Sequence, residues 1–396
     1  MELRCSDIPH VDLEINEEEP EPGILELLQI LRPDWCLEQV YMKSFTEGIT
    51  NRLIGCFVRP DQRPDPDSDL VLVRLYGRHT DLFVDRSREV QMVRLLESRG
   101  CGPKIYCSFR NGISYEYLPG APLSDRLLTQ PHIYRLVAAE MAMLHLVQIK
   151  NSESEEPVLW KKMEHLLNLI QMNQSEESQG NHSQSEESRH NHSQSESRFW
   201  SGLVPGPEVL RTEMVLLKSS LSRLRSPVVL CHNDLLTKNI IYNKEIGTVK
   251  FIDFEYCDFN YQAFDIGNHF NEFAGVSDLD YSRYPSPGLQ KDWITTYLKN
   301  YSQETGSEVT EQEVTRLYVH VCKFSLASNL FWGMWAILQS KLSSIDFDFR
   351  SYAAARLKFY FEKRDQYLDL DPDLGPDRDL ELGPDRDPDQ DSNLYK

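Results

Sequence analysis

The sequence predicts an α+β chain of two lobes: a small β-rich N-lobe over residues 25–118 and a larger, mostly helical C-lobe over 119–368. Three observations carry this. Between residues 41 and 117, apolar and β-branched residues fall in short alternating runs: YMKSF, NRLIGCFV, LVLVRLY, KIYCSF and GISYEYL. That is the period-2 pattern of antiparallel strands. From Pro131 onward the pattern becomes helical, in runs over 132–149, 208–224, 289–301 and 311–342. A single strand pair interrupts it, NIIYN at 239–243 and TVKFID at 248–253.

Taken in order, residues 1–24 are acid-rich and are expected to be disordered. The string RPDQRPDPDSD at 59–69 is a Pro/Asp loop between two strands. Residues 84–98 carry helical periodicity inside the N-lobe. Tyr115-Glu116-Tyr117-Leu118-Pro119-Gly120 ends the last strand and is placed as the hinge between lobes. Residues 174–197 repeat QSEESQGNHS, QSEESRHNHS and QSES. With almost no apolar residue the repeat cannot offset the entropy of ordering, so disorder is expected. Its His182, His190 and His192 have no fixed scaffold on which to chelate a metal. The tail, 369–396, repeats LGPDRD and reads as solvated and acidic.

The formal net charge of -20, from 42 Lys+Arg against 62 Asp+Glu, belongs mainly to the two ends. Residues 5–31 hold eight acids and no base, and residues 365–391 hold eleven acids against Arg378 and Arg386. The body between them is nearly neutral. No basic stripe runs along a predicted helix, which excludes nucleic acid as a partner. The longest apolar run, near 331–338, falls short of the ~20 residues a membrane span needs, so stable membrane insertion is not expected. The N-terminus lacks an apolar signal core. Eight cysteines show no CxxC pair or ligand-like spacing and read as buried, reduced thiols of a cytoplasmic protein. A homodimer is compatible with the sequence.

The strongest chemical signal is His232-Asn233-Asp234, followed by Asn239. It keeps the H-x-D-x-x-x-x-N spacing of a kinase catalytic loop, in which the Asp orients the acceptor hydroxyl and the Asn reaches Mg²⁺. Nineteen residues after Asp234, Asp253-Phe254-Glu255 ends an apolar strand where a kinase has D-F-G. With the two-lobe layout, this is the architecture of protein-kinase-like phosphotransferases, with ATP between the lobes.

In the N-lobe, Arg74 sits inside the apolar strand VLVRL, the place of the kinase lysine that contacts phosphates, with Glu89 on the next helix as its partner. A charge buried there without a partner is costly, which favours function. Gly48, Ile49, Thr50 and Asn51 lie between two strands, the place for a phosphate-covering loop of backbone N–H groups and side-chain donors. The hinge backbone at Glu116 and Leu118 would pair with adenine. Between Asp253 and Asp265 there is no A-P-E and no room for a peptide-docking segment, so a small alcohol is favoured as acceptor.

The string IDFEYCDFNYQAFDIGNHFNEFAG at 252–275 resembles the signature of the choline/ethanolamine kinase family. FTEGITNRLIGC, VLVRLYG, CHNDLLTKNIIY and NHFNEFAGV are more similar to its ethanolamine kinases than to its choline kinases. The resemblance covers about residues 25–363 apart from the repeat and the Pro/Asp loop. It implies phosphorylation of ethanolamine with MgATP, the first step of the CDP-ethanolamine route to phosphatidylethanolamine. It further implies Asp234 as the base, Asn239 and Asp253 as metal ligands with Glu255 assisting, and Asp265 holding the catalytic loop.

The acceptor pocket can be read alongside. Ethanolamine's ammonium needs acceptors for three N–H bonds, whereas choline's quaternary group needs ring faces. Glu272 is the expected anionic anchor. Trp332, Trp335 and Tyr352 are the expected aromatic contacts, although two Trp at i, i+3 form a core pattern by spacing alone. After Glu272 stands Phe-Ala-Gly-Val-Ser, where choline kinases are rich in Trp and Tyr, so a smaller, less caged pocket is expected. His232, Asn260, Asn268 and His269 are assigned supporting hydrogen bonds. The competing readings are a choline or dual-specificity kinase and, more distantly, a nucleotide-binding pseudokinase scaffold.

Overall fold

A computed structural model describes residues 8–45, 51–58, 70–77, 80–148, 156–180, 204–302, 308–343 and 345–371. Gly48, Ile49, Thr50, the 59–69 loop, the repeat beyond 180 and the tail beyond 371 lie outside them.

Strands β1 (His10–Val11), β2 (Val40–Phe45), β3 (Arg52–Val58), β4 (Val71–Leu75), β5 (Ile105–Phe109) and β6 (Gly112–Glu116) form one sheet, ordered β1-β5-β6-β4-β3-β2. All pairings are antiparallel except β1 with β5. Every residue of β4 is buried, because both faces of the sheet are covered. Helix α1 (Pro20–Leu31) covers one face, burying Ile24, Leu27 and Leu28 against Ile54, Val71, Val73 and Phe109. The period-2 alternation then turns Arg74 to the opposite face, toward α2 (Arg86–Ser98) and the C-lobe. Asp85 caps α2, accepting from Arg88 N.

The expected disorder of residues 1–24 needs correction over their described part. Ile15 is buried, its N–H donates to Asn111 Oδ1 at 3.0 Å and its carbonyl accepts from Asn111 Nδ2 at 2.8 Å. Asp12, Glu14, Glu18, Glu19 and Glu21 around it face solvent, so a high acid count coexists with an ordered segment. The 174–197 repeat also differs at its start, since the backbone helix entering it runs to Gly180. A helix already nucleated by apolar packing extends readily into Gln, Ser and Glu.

The C-lobe contains α3 (Asp125–Leu128), α4 (Pro131–His145), α5 (Val158–Gly180), α6 (Pro207–Leu221), α7 (Gln262–Glu272), α8 (Pro287–Tyr301), α9 (Glu311–Leu342) and α10 (Phe349–Leu368). Proline at the first turn starts α4, α6 and α8, and a Thr310–Glu313 capping box starts α9. Helix α9 is the centre of the lobe. Its composition and length would suit a bilayer, but 94% of its apolar window is buried in protein. Strands β7 (Ala121–Pro122), β9 (Ile240–Asn243) and β10 (Thr248–Phe251) form one small sheet, and β8 (Val228–Cys231) with β11 (Asp258–Tyr261) another. Six of the seven described cysteines are buried and none is paired.

Two glycines are required by close approach. At Gly120 (φ 140°) a Cβ would lie 2.7 Å from the Tyr242 carbonyl, where the hinge crosses β9. At Gly267 it would lie 2.9 Å from both Ser325 N and Val321 O, so only glycine lets α7 press against α9.

Candidate active site

The site is assembled where β8, β10 and α7 converge. Asp265 begins the inward face of α7 and is fully buried. Its carboxylate accepts from the backbone N–H of His232 at 2.8 Å and of Asn233 at 2.7 Å, and bonds His145 Nε2 at 3.0 Å. Burial opposes its ionisation, but these donors outweigh burial and hold its pKa below the usual carboxylate value. One turn on, Asn268 donates to the Asn233 carbonyl at 3.2 Å. Its Oδ1 accepts from Ser328 Oγ and Trp332 Nε1, both at 2.8 Å. The backbone around Asn233 is thus held from both sides, at a left-handed φ of 66°. Asn tolerates that conformation, and its side chain is fixed by Tyr256 O at 3.0 Å and Asn260 Nδ2 at 2.8 Å.

His232 joins the two halves of the motif. Asp234 N–H donates to its Nδ1 at 3.3 Å, so the proton is on Nε2, which donates to Ile252 O at 2.9 Å. Burial lowers its pKa and keeps the ring neutral. His269 is likewise a buried core histidine, bonding Leu235 O at 3.0 Å.

Asp234, Asn239, Asp253, Glu255, Glu272, Trp332, Trp335 and Tyr352 all line a single cleft of about 310 Å³. Burial, with Glu272, Asp253 and Glu255 nearby, pushes the Asp234 carboxyl well above the usual range. Asn239 Nδ2 donates to the Asp234 carbonyl at 2.9 Å, which turns its Oδ1 away. That oxygen and the Asp253 carboxylate are the hard donors Mg²⁺ takes, so the residues present fit the ion.

Arg74 sits beside them. It pairs with Asp253 Oδ1 at 2.6 Å and with buried Glu89, the partner expected from sequence. Glu255 Oε2 accepts from Asn51 Nδ2 and Arg86 Nη1, both at 3.0 Å, which ties the 253–255 segment to the N-lobe. Burial opposes the charge on Glu255, but Arg74 and Arg86 outweigh it and lower its pKa. At the hinge, Glu116 N–H is taken by Lys104 O at 2.9 Å, and Leu118 is half-buried two residues on.

Four contributors escaped the sequence reading. Arg86 bonds Glu89, Glu255 and Thr80 at 2.8, 3.0 and 2.6 Å and lies over the Tyr76 ring. Arg356 is fully buried and pairs with Glu272. Tyr256 and Phe349 extend the aromatic wall, Tyr256 packing edge-on to Trp332 and Trp335 edge-on to Phe349. The small residues expected after Glu272 and the expected rings therefore line the cleft from different segments. Gly275, Val276 and Ser277 line one part, and rings form the other.

The family model for "Choline/ethanolamine kinase" matches residues 42–361. The chain is 44% identical to mouse ethanolamine kinase 1, over 92% of this chain and 96% of the relative. It is also 44% identical to human ethanolamine kinase 2, over 92% and 86%. Among solved structures, a Plasmodium vivax ethanolamine kinase superposes with a TM-score of 0.70 at 28% identity, covering 87% of this chain and 89% of that one. A Cryptosporidium parvum choline kinase shares the fold, with a TM-score of 0.68 at 24% identity over 87% and 96%. The bilobal protein-kinase-like architecture, the assembled motifs and these matches give one conclusion: the chain belongs to the choline/ethanolamine kinase family.

Proposed function

We infer that the chain transfers the γ-phosphoryl group of ATP to the hydroxyl of ethanolamine, giving phosphoethanolamine. One observation carries the acceptor reading. Glu272 is 4% exposed and lines the cleft with Asp234. Its Oε1 is held by Arg356, while among the described residues its Oε2 accepts no hydrogen bond. A buried carboxylate oxygen left open to a cleft suits an ammonium with N–H bonds to give.

In this reading Asp234, with its raised proton affinity, orients the acceptor hydroxyl and takes its proton. Asn239 and Asp253 would hold Mg²⁺, which when bound neutralises charge on the β- and γ-phosphates. Arg74 and Asn51 would contact the phosphates, and the hinge backbone at Glu116 and Leu118 would pair with adenine. Catalysis is then mainly positioning and electrostatics.

The aromatic wall supports a second reading, choline as acceptor, since Trp332, Trp335 and Tyr352 present the faces a quaternary ammonium uses. Steady-state assays of purified protein with ethanolamine, choline and ethylene glycol separate the two. Ethanolamine is expected to have the highest kcat/KM. Preference for choline would overturn the substrate assignment, and turnover of none would overturn the activity.

A further inference from the structure

Among the described residues of the C-lobe, Arg356 is the largest fully buried charged side chain, and its surroundings are specific. It lies one helical turn after Tyr352 on α10, which places both side chains on one face. Its Nε and Nη2 both donate to the Tyr352 hydroxyl, at 2.9 and 2.6 Å. Nη2 also pairs with Glu272 Oε1, and the guanidinium carbon is 5.0 Å from the Tyr352 ring centroid. Two of the cleft's lining residues, one anionic and one aromatic, are therefore fixed by one planar fork.

We propose that Arg356 is a positioning residue that sets acceptor specificity: it holds Glu272 with one oxygen locked and the other turned to the acceptor amine. The proposal rests on the ethanolamine reading above and names the device that selects the acceptor. Glu272 is buried, and the Arg356 guanidinium gives its carboxylate a counter-charge and a donor inside the protein. Orientation matters as much as charge. An N–H bond needs an oxygen lone pair at a defined place, whereas a quaternary ammonium gains only from ring faces and diffuse charge. Loosening Glu272 should therefore penalise acceptors according to the number of N–H bonds they carry. Lysine keeps the charge but cannot reproduce the fork.

The test measures R356K against the wild type with ethanolamine, N-methylethanolamine, N,N-dimethylethanolamine and choline, at saturating MgATP. The KM for MgATP and the thermal midpoint are measured alongside. One well-oriented bond to a charged group corresponds to about a tenfold to hundredfold fall in kcat/KM for ethanolamine. The fall should shrink along the series and nearly vanish for choline, with the nucleotide KM unchanged. An equal loss for all four acceptors, no loss for any, or a parallel rise in nucleotide KM would overturn the proposal. If R356K does not fold, Y352F, which removes the hydroxyl that both guanidinium nitrogens use, is read by the same pattern. Wild-type preference for choline would instead overturn the ethanolamine assignment, while the ratio between wild type and variant would still score Arg356.

Discussion

Replacing Asp265 by Asn tests how the active loop is held. The carboxylate accepts two backbone N–H bonds, at 2.8 Å from His232 and 2.7 Å from Asn233, in a fully buried setting. Bonds to a charged acceptor contribute about 1.5–3 kcal/mol each, and a neutral amide oxygen can retain about 1 kcal/mol of one. The Asn Nδ2 would also face a donor it cannot accept from. A net loss of about 2–4 kcal/mol, taken from the placement of Asp234, corresponds to about a thirty- to thousandfold fall in kcat. Rapid-quench and steady-state assays measure it, with circular dichroism to verify folding. Because Asp265 has a lowered pKa when folded, its contribution is present above the unfolded carboxylate value and is lost as pH falls through the folded one. The variant should therefore show weaker dependence of thermal midpoint on acidification. A D265N enzyme with kcat within threefold of wild type and an unchanged midpoint would refute the reasoning.

Other expectations follow from the same geometry. D234N should abolish turnover but keep nucleotide binding by calorimetry. Because folding raises the Asp234 pKa, wild-type stability falls as pH rises through that value, so D234N should melt higher than wild type in metal-free buffer at neutral pH. R86A strips a cation from buried Glu89 and Glu255 and should raise the KM for MgATP about tenfold or more while leaving the acceptor KM nearly unchanged. G267A forces a methyl against the backbone of α9 and should destabilise the protein by about 1–3 kcal/mol, read by denaturant melts.

What sequence reasoning could reach is uneven, and the reason is physical. Asp234, Asn239 and Asp253 are legible because one loop and one strand end fix their spacing. Arg74 is legible because a charge inside VLVRL has no cheap explanation except a partner. Arg356 leaves no such mark: it is one of several bases on α10, and its partner Glu272 is 84 residues away. Arg86 looks like an ordinary first-turn residue until Tyr76 and the 253–255 segment fold against it. The β8–β11 pair has only four residues in each strand, too few for periodicity to show. At the N-terminus, the boundary expected at residue 24/25 cuts through a helix that starts at Pro20. Ile24, Leu27 and Leu28 have the i, i+3, i+4 spacing of a buried helix face, and α1 buries all three.

The central claim is that Asp234 and Glu272 receive opposite ends of one small acceptor. A crystal structure of the protein with a non-hydrolysable MgATP analogue and ethanolamine tests it most directly. The hydroxyl oxygen is expected within hydrogen-bonding distance of the Asp234 carboxylate, and the ammonium on Glu272 Oε2 before the Trp332–Trp335 wall. An ammonium bound away from Glu272, or a hydroxyl out of reach of Asp234, would contradict it.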